Sequence, residues 1–281
     1  MACVKLQAMF LGVEIGGTKL QAGVCDARCR LRRLCRSSVV RSEGRRGILR
    51  QLEQMIPPLI RDREISRIGV GFGGPFDTER GRVVKSFHIN GWDGFELKRW
   101  FAQRFKLPTV VENDTNCATL AEALIGAGRG KRRVFYTNVG TGIGGGLVID
   151  GALYNGRFGA MEIGHTQLWH HGKWVIVETV SSGLAIERGG STVERAARYF
   201  GVALANVVTL LNPDIVVVGG GVSLAGERFF RPLRSTVRRL VFAPFRDNFK
   251  IVPAGLGETV VVAGAALLAR MGEQGGRATI G

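Results

Sequence analysis

Long apolar runs are missing from this chain of 281 residues. None approaches the roughly 20 residues that a bilayer-spanning helix needs, and the best candidates, at 215–218 and 259–269, are short or broken by glycine. Residues 1–10 hold one lysine, Lys5, and no apolar stretch of signal-peptide length, so a cytoplasmic protein with no membrane partner is expected. Paired cysteines are missing too. The five present, Cys3, Cys25, Cys29, Cys35 and Cys117, form no Cys-x-x-Cys pair and have no histidine close by, which excludes a disulfide framework and a zinc knuckle. Lysine is scarce, at eight of the 39 basic residues behind a net charge of +16. The densest arginine stretches, 28–50 and 129–133, lack the interleaved aromatics of a single-strand-binding surface. They read as solvated faces, with no specific nucleic-acid partner.

Glycine and apolar residues are plentiful. With 41 glycines and 45% hydrophobic residues the chain can bury a sizeable core in one large or, better, two α/β domains. Three apolar, β-branched runs each open into a glycine-rich turn: Glu14-Ile15-Gly16-Gly17-Thr18-Lys19, Val139-Gly140-Thr141-Gly142 and Val218-Gly219-Gly220-Gly221. Glycine permits φ > 0 and close approach of backbone to ligand, so such strand ends can aim consecutive N–H groups at phosphate oxygens. Three of them point to a bound nucleotide.

The hydrophobic periods predict strands at 10–14, 20–25 and 34–40, a helix over 48–60 distorted by Pro57-Pro58, a strand at 67–72, a helix over 95–105, a strand at 109–112 and a helix over 114–125. The pattern then restarts. Strands at 133–138 and 145–150 flank the second glycine turn, a long, nearly continuously apolar helix expected to be buried covers 192–211, a strand at 215–218 leads to a helix near 226–240, and a strand at 250–253 precedes a helix through 263–270. Strand–turn–strand followed by helix in both halves indicates a duplicated fold.

Two segments can carry chemistry. Glu112-Asn113-Asp114 lies where a strand meets a helix N-terminus, the edge at which open α/β sheets bind ligands. Asp114 is there either a helix cap or a general base that takes the proton of an attacking hydroxyl. Glu162 and His165, followed by Glu178, supply the acceptors and donor that a polyhydroxylated ligand such as a sugar needs on leaving water.

In this order the motifs resemble the ROK sugar kinases, bacterial glucokinase-like members of the actin-like ATPase superfamily, over nearly the whole chain. The resemblance implies a two-lobed actin-like (ribonuclease H-like) α/β fold with a duplicated core and an interlobe cleft. The small lobe would be 1–115 with the helix of 260–281 packed back on it, and the large lobe 116–259. It also implies ATP and Mg²⁺ as cofactors. Glu14, Gly16, Gly17, Thr18 and Lys19 match the first phosphate motif, Gly140, Thr141 and Gly142 the second, and Gly219, Gly220 and Gly221 the adenosine motif. Asp114 falls on the catalytic base, and Asn113, Glu162, His165 and Glu178 on sugar-binding positions. The implied reaction is transfer of the γ-phosphoryl group to a hexose hydroxyl, O6 of glucose first; N-acetylmannosamine, N-acetylglucosamine, fructose and allose are alternative acceptors.

The chain departs from the pattern in four places. Glu14 replaces the more usual Asp, and His88 falls where relatives often have Asn. The interval 166–177, where the family usually places zinc-binding cysteines, contains none, so structural zinc is expected to be absent. The stretch 184–190 is much shorter than in relatives, so the homodimer that the resemblance implies would lack part of the large lobe's outer layer. Repressors of the family carry a DNA-binding module before the first phosphate motif; the 13 residues ahead of Glu14 are too few for it, so a non-catalytic sugar sensor is the second reading.

Overall fold

The computed structural model describes residues 8–61, 64–86, 89–156, 159, 161–273 and 279–280. They fall into two compact units. The first comprises the described residues of Met1–Ala121, Asn155–Gly159 and Glu258–Gly281, and the second those of Glu122–Tyr154 and Ala160–Gly257.

The first unit is built on β1 (Met9–Ile15), β2 (Lys19–Cys25) and β3 (Leu31–Ser38), then α1 (Gly44–Met55), α2 (Pro57–Ile60) and β4 (Ile65–Phe72). A small hairpin, β5 (Phe76–Asp77) and β6 (Arg82–Val83), follows, with α3 (Leu97–Phe105), β7 (Thr109–Asn113) and α4 (Asp114–Leu124). The single helix read over 48–60 is two, because Pro57 has no N–H to continue the ladder and instead starts a new turn. The sheet order is β3-β2-β1-β4-β7, antiparallel across the first three strands and parallel from β1 to β7. Both faces of β1 are buried. Ile48 and Leu52 of α1 pack into the cluster holding Val13, Val70 and Phe72.

Three glycines outside the glycine-rich turns seat the last helix, α9 (Val260–Glu273). Gly23, Gly12 and Gly69 lie side by side across β2, β1 and β4. A Cβ on Gly12 would strike the Val262 carbonyl, and one on Gly69 the Ala265 carbonyl. Helix backbone therefore rests directly on strand backbone.

The second unit repeats the plan with β8 (Arg133–Val139), β9 (Ile143–Ile149) and β10 (Ala152–Tyr154), then β11 (Gln167–His170) and β12 (Lys173–Ile176). Short helices α5 (Glu178–Ser181) and α6 (Gly183–Glu187) lead to α7 (Val193–Leu211), β13 (Ile215–Gly219), α8 (Glu227–Leu240) and β14 (Lys250–Pro253). Its strands run β10-β9-β8-β13-β14, with antiparallel pairs on one side of β8 and parallel pairs on the other. That order and sense match the first unit strand for strand. The duplication read from the sequence is real.

Helix α7 corrects one expectation. It is amphipathic: Ala196, Ala197, Phe200, Leu204 and Val208 are buried, and Gly201 lets Thr236 of α8 approach, but Leu210 is 81% exposed.

Candidate functional site

In the first unit, Gly16–Thr18 forms the hairpin turn between β1 and β2, closed by the Gly16 N–H donating to the Lys19 carbonyl at 3.1 Å. The turn uses no left-handed backbone, and a Cβ on Gly16 would lie 3.2 Å from the Lys19 carbonyl oxygen. Of the glycines in the three glycine-rich turns only Gly220, at φ 86°, has positive φ, so conformational freedom explains that one and close packing others. A Cβ on Gly219 would meet the Tyr136 hydroxyl at 2.6 Å, and one on Gly142 the Glu178 carboxylate at 2.8 Å.

Glu14, at the end of β1, is buried. Its Oε2 accepts a 2.6 Å hydrogen bond from Gln21 Nε2, and Lys19 Nζ lies 3.4 Å from its Oε1. Burial pushes its proton affinity up, while the Lys19 ammonium and the Gln21 amide pull it back. Gln21 in turn donates to the Glu258 carbonyl at 2.9 Å and accepts from Arg36 Nε at 2.8 Å. The sequence reading missed Gln21; its place on a buried strand face, seven residues after Glu14 across a hairpin, is the signal that could have found it.

At the junction of β7 and α4 the helix end has a cap besides Asp114: Asn113 Oδ1 accepts from the N–H groups of Thr115 at 2.8 Å and Asn116 at 3.2 Å. Its Nδ2 donates to the Gly74 carbonyl at 3.1 Å. Asp114 is thereby released from sole responsibility for the helix end, although its Oδ1 also accepts from Thr115 N at 2.8 Å. Loss of hydration in its recessed position, reinforced by the negative charge of Glu14, pushes the Asp114 carboxyl from 3.8 up to about 7. A carboxylate so placed is suited to take and release a proton near neutrality.

Behind it Glu112 is buried and held at both oxygens. Oε1 accepts from Asn113 N at 2.8 Å and Asn116 Nδ2 at 3.1 Å, and Oε2 from Asn155 Nδ2 at 2.7 Å. This cage locks the strand end that carries Asn113 and Asp114. Sequence reading gave Glu112 no role of its own, because the partner that completes the cage, Asn155, is 43 residues away.

In the second unit, Gly140–Gly142 turns β8 into β9, and the Gly140 carbonyl accepts from Gly183 N at 2.6 Å. Glu178, the first residue of α5, reaches the same turn: its Oε2 accepts from Ile143 N at 2.7 Å. Gly140, Thr141 and Gly221 line a cavity of about 510 Å³ whose other walls include Ile186, Val193 and Val222. That is within the size range of small-molecule ligand sites, and its lining combines glycine-turn backbone with apolar side chains. The α6 wall went unread in the sequence; Ser182, whose hydroxyl accepts from Ala185 N at 3.2 Å, is its capping signal.

Glu162 and His165 stay together, with Nδ1 3.3 Å from Oε2, and both are exposed. The interval after them is a hairpin that the sequence reading did not see. Its turn is His171-Gly172, with φ of 45° and 78°, a two-residue turn of primed type without the usual Asn-Gly. Leu168 and Val175 pair on the inner face, Trp169 and Trp174 on the outer, their rings 5.4 Å apart. Val177 N donates to the Thr166 carbonyl at 2.9 Å, so His165 and Glu178 flank the base of one hairpin. Among the described residues no three His, Cys, Asp or Glu side chains gather as metal ligands. His88 lies outside the described residues.

Comparison with known proteins adds the following. The model of the ROK family matches residues 10–192 and 185–271. The glucokinase of Streptomyces coelicolor is 30% identical over 93% of this chain and 98% of its own length. Among solved structures, a ROK hexokinase from Thermus thermophilus, 30% identical, superposes with a TM-score of 0.83 over 95% of this chain and 100% of that one. A ROK family glucokinase from Streptomyces griseus, solved in complex with glucose and AMPPNP, is 29% identical with a TM-score of 0.81 over 94% and 100%. The two-unit α/β architecture is that of the actin-like sugar kinases.

Proposed function

The chain belongs to the ROK family, and from that premise we propose that it is an ATP-dependent hexose kinase that phosphorylates O6 of glucose. Asp114 is the observation on which the reading rests: a recessed carboxylate that shares the helix cap with Asn113, with its pKa raised to about 7. In the reaction Asp114 accepts the hydroxyl proton of the sugar as the hydroxyl oxygen bonds to the γ-phosphorus and the bond from that phosphorus to the β-phosphate oxygen breaks, releasing ADP. The backbone of the Gly16–Thr18 and Gly140–Gly142 turns steadies the phosphate oxygens; the 510 Å³ cavity receives the nucleoside. Glu162, His165, Glu178 and Asn113 orient the sugar.

Mg²⁺ fits the residues present, since that ion is generally held by one or two carboxylates together with substrate phosphates rather than by a complete protein cage. Glu14, close enough for its charge to raise the proton affinity of Asp114, would hold it, directly or through water. Bound there, the ion would neutralise charge on the nucleotide phosphates. The test is a hexose-dependent ADP-release assay on the wild type and Asp114→Ala: the variant keeps its fold and loses turnover, and full activity in it would sink the assignment.

A further inference from the structure

Lysine in a phosphate-binding turn is the obvious cation for the nucleotide, yet in this chain Lys19 is already engaged. Its Nζ lies 3.4 Å from the Glu14 carboxylate and donates to the Glu258 carbonyl at 3.2 Å. Arg36, the next cation along the same hairpin, is committed as well, with Nε on Gln21 at 2.8 Å and Nη1 3.5 Å from Glu258. Arg41 differs. It follows the end of β3, where the Val39 N–H donates to the Thr18 carbonyl at 2.9 Å, and its own Nε donates to the Gly17 carbonyl at 2.9 Å. That single bond ties the guanidinium to the turn. The side chain is exposed, and among the described residues no carboxylate pairs with it.

We propose that Arg41, rather than Lys19, is the phosphate-contacting cation of the first glycine turn, its Nη groups taking the β- and γ-phosphate oxygens of the nucleotide. The reasoning is one of remaining capacity. Guanidinium carries five N–H donors in a planar fork and pairs bidentately with phosphate; the Gly17 carbonyl occupies one of the five and aims the rest. Lys19, by contrast, serves to hold Glu14. Such a contact strengthens as charge builds on the transferring group, so it aids the transfer as well as binding. Arg41 belongs to no glycine motif, which is why inspection of the motifs passes over it.

The proposal rests on the kinase reading, and calorimetric titration of the full chain with Mg·ATP and, separately, AMP distinguishes the two. Arg41→Ala and Arg41→Gln weaken ATP by about tenfold and leave AMP unchanged, since a charge-assisted phosphate contact is worth roughly that factor. Arg41→Lys loses affinity for ATP but less than Arg41→Ala, keeping charge without the fork. Arg41→Gln decides between contact and brace, because its amide can still donate to Gly17 but carries no charge. Wild-type ATP affinity in Arg41→Gln or Arg41→Ala, or equal loss of ATP and AMP, overturns the proposal. A wild type that binds ATP but transfers no phosphoryl group defeats the kinase reading alone, and the titration still judges Arg41. No ATP binding at all defeats both.

Discussion

Replacing Asp114 by Asn should stabilise the protein while stopping catalysis, and by an amount that grows with pH. The Asp114 carboxyl is raised from 3.8 to about 7, first by burial and then by the charge of Glu14. A group whose folded-state pKa is raised favours the folded state below its unfolded pKa, and that advantage is lost as pH rises toward the folded value. The wild type thus pays nothing for this site near pH 4, a growing penalty between pH 4 and 7, and a constant one above. At about 1.4 kcal/mol per pKa unit the limit is about 4 kcal/mol, and partial solvation of the side chain makes about 2–4 kcal/mol the expectation. Asn cannot ionise, and its amide oxygen can still accept from Thr115 N, the bond made by Asp114 at 2.8 Å. Urea unfolding of both proteins at pH 5, 6.5 and 8 measures the difference. A gap that does not widen with pH, or a variant less stable than the wild type at pH 8, would refute the reasoning.

The proposed role of Asp114 as base also fixes a pH profile. With a base near pKa 7, kcat/KM should rise about tenfold between pH 6 and 8 and level off above, and a profile flat over that range would remove Asp114 as the base. Glu178→Ala deletes the acceptor of the Ile143 N–H and should lower kcat/KM for hexose by about 10- to 100-fold, with Glu178→Gln partly restoring it through the amide oxygen; equal activity of all three proteins would contradict the placement. Gly69→Ala drives a methyl group into the Ala265 carbonyl and should cost about 3 kcal/mol or more of stability, seen as a lowered urea midpoint, whereas Gly130→Ala meets no neighbour but strains a left-handed residue at φ 80° and should cost about 1 kcal/mol.

Elements with long, regular patterns were legible because period and punctuation agree. The glycine turns, the end of α7 at Leu211 and the strand–turn–strand restart near residue 133 all fall where reading placed them to within a few residues. The Asn113 cap was harder, since Asn and Asp in sequence are both good caps; both accept from Thr115 N, and Asn113 alone also accepts from Asn116 N. The hairpin of β11 and β12 escaped because its turn is His171-Gly172, a pair with little turn signal, and because Trp169 and Trp174 face solvent, reversing the alternation expected of a buried strand. The Glu112–Asn116–Asn155 cage and the Gln21–Glu14 bond depend on chain segments brought together by folding, which no local window displays.

The central claim is chemical, so the most direct measurement is the fate of phosphorus. Wild-type protein incubated with glucose and Mg·ATP and followed by ³¹P NMR should convert the γ-phosphate signal into that of a 6-phosphate monoester, with ADP formed in equal amount. Release of inorganic phosphate without any sugar phosphate, for glucose and for N-acetylmannosamine, N-acetylglucosamine, fructose and allose alike, would contradict the account.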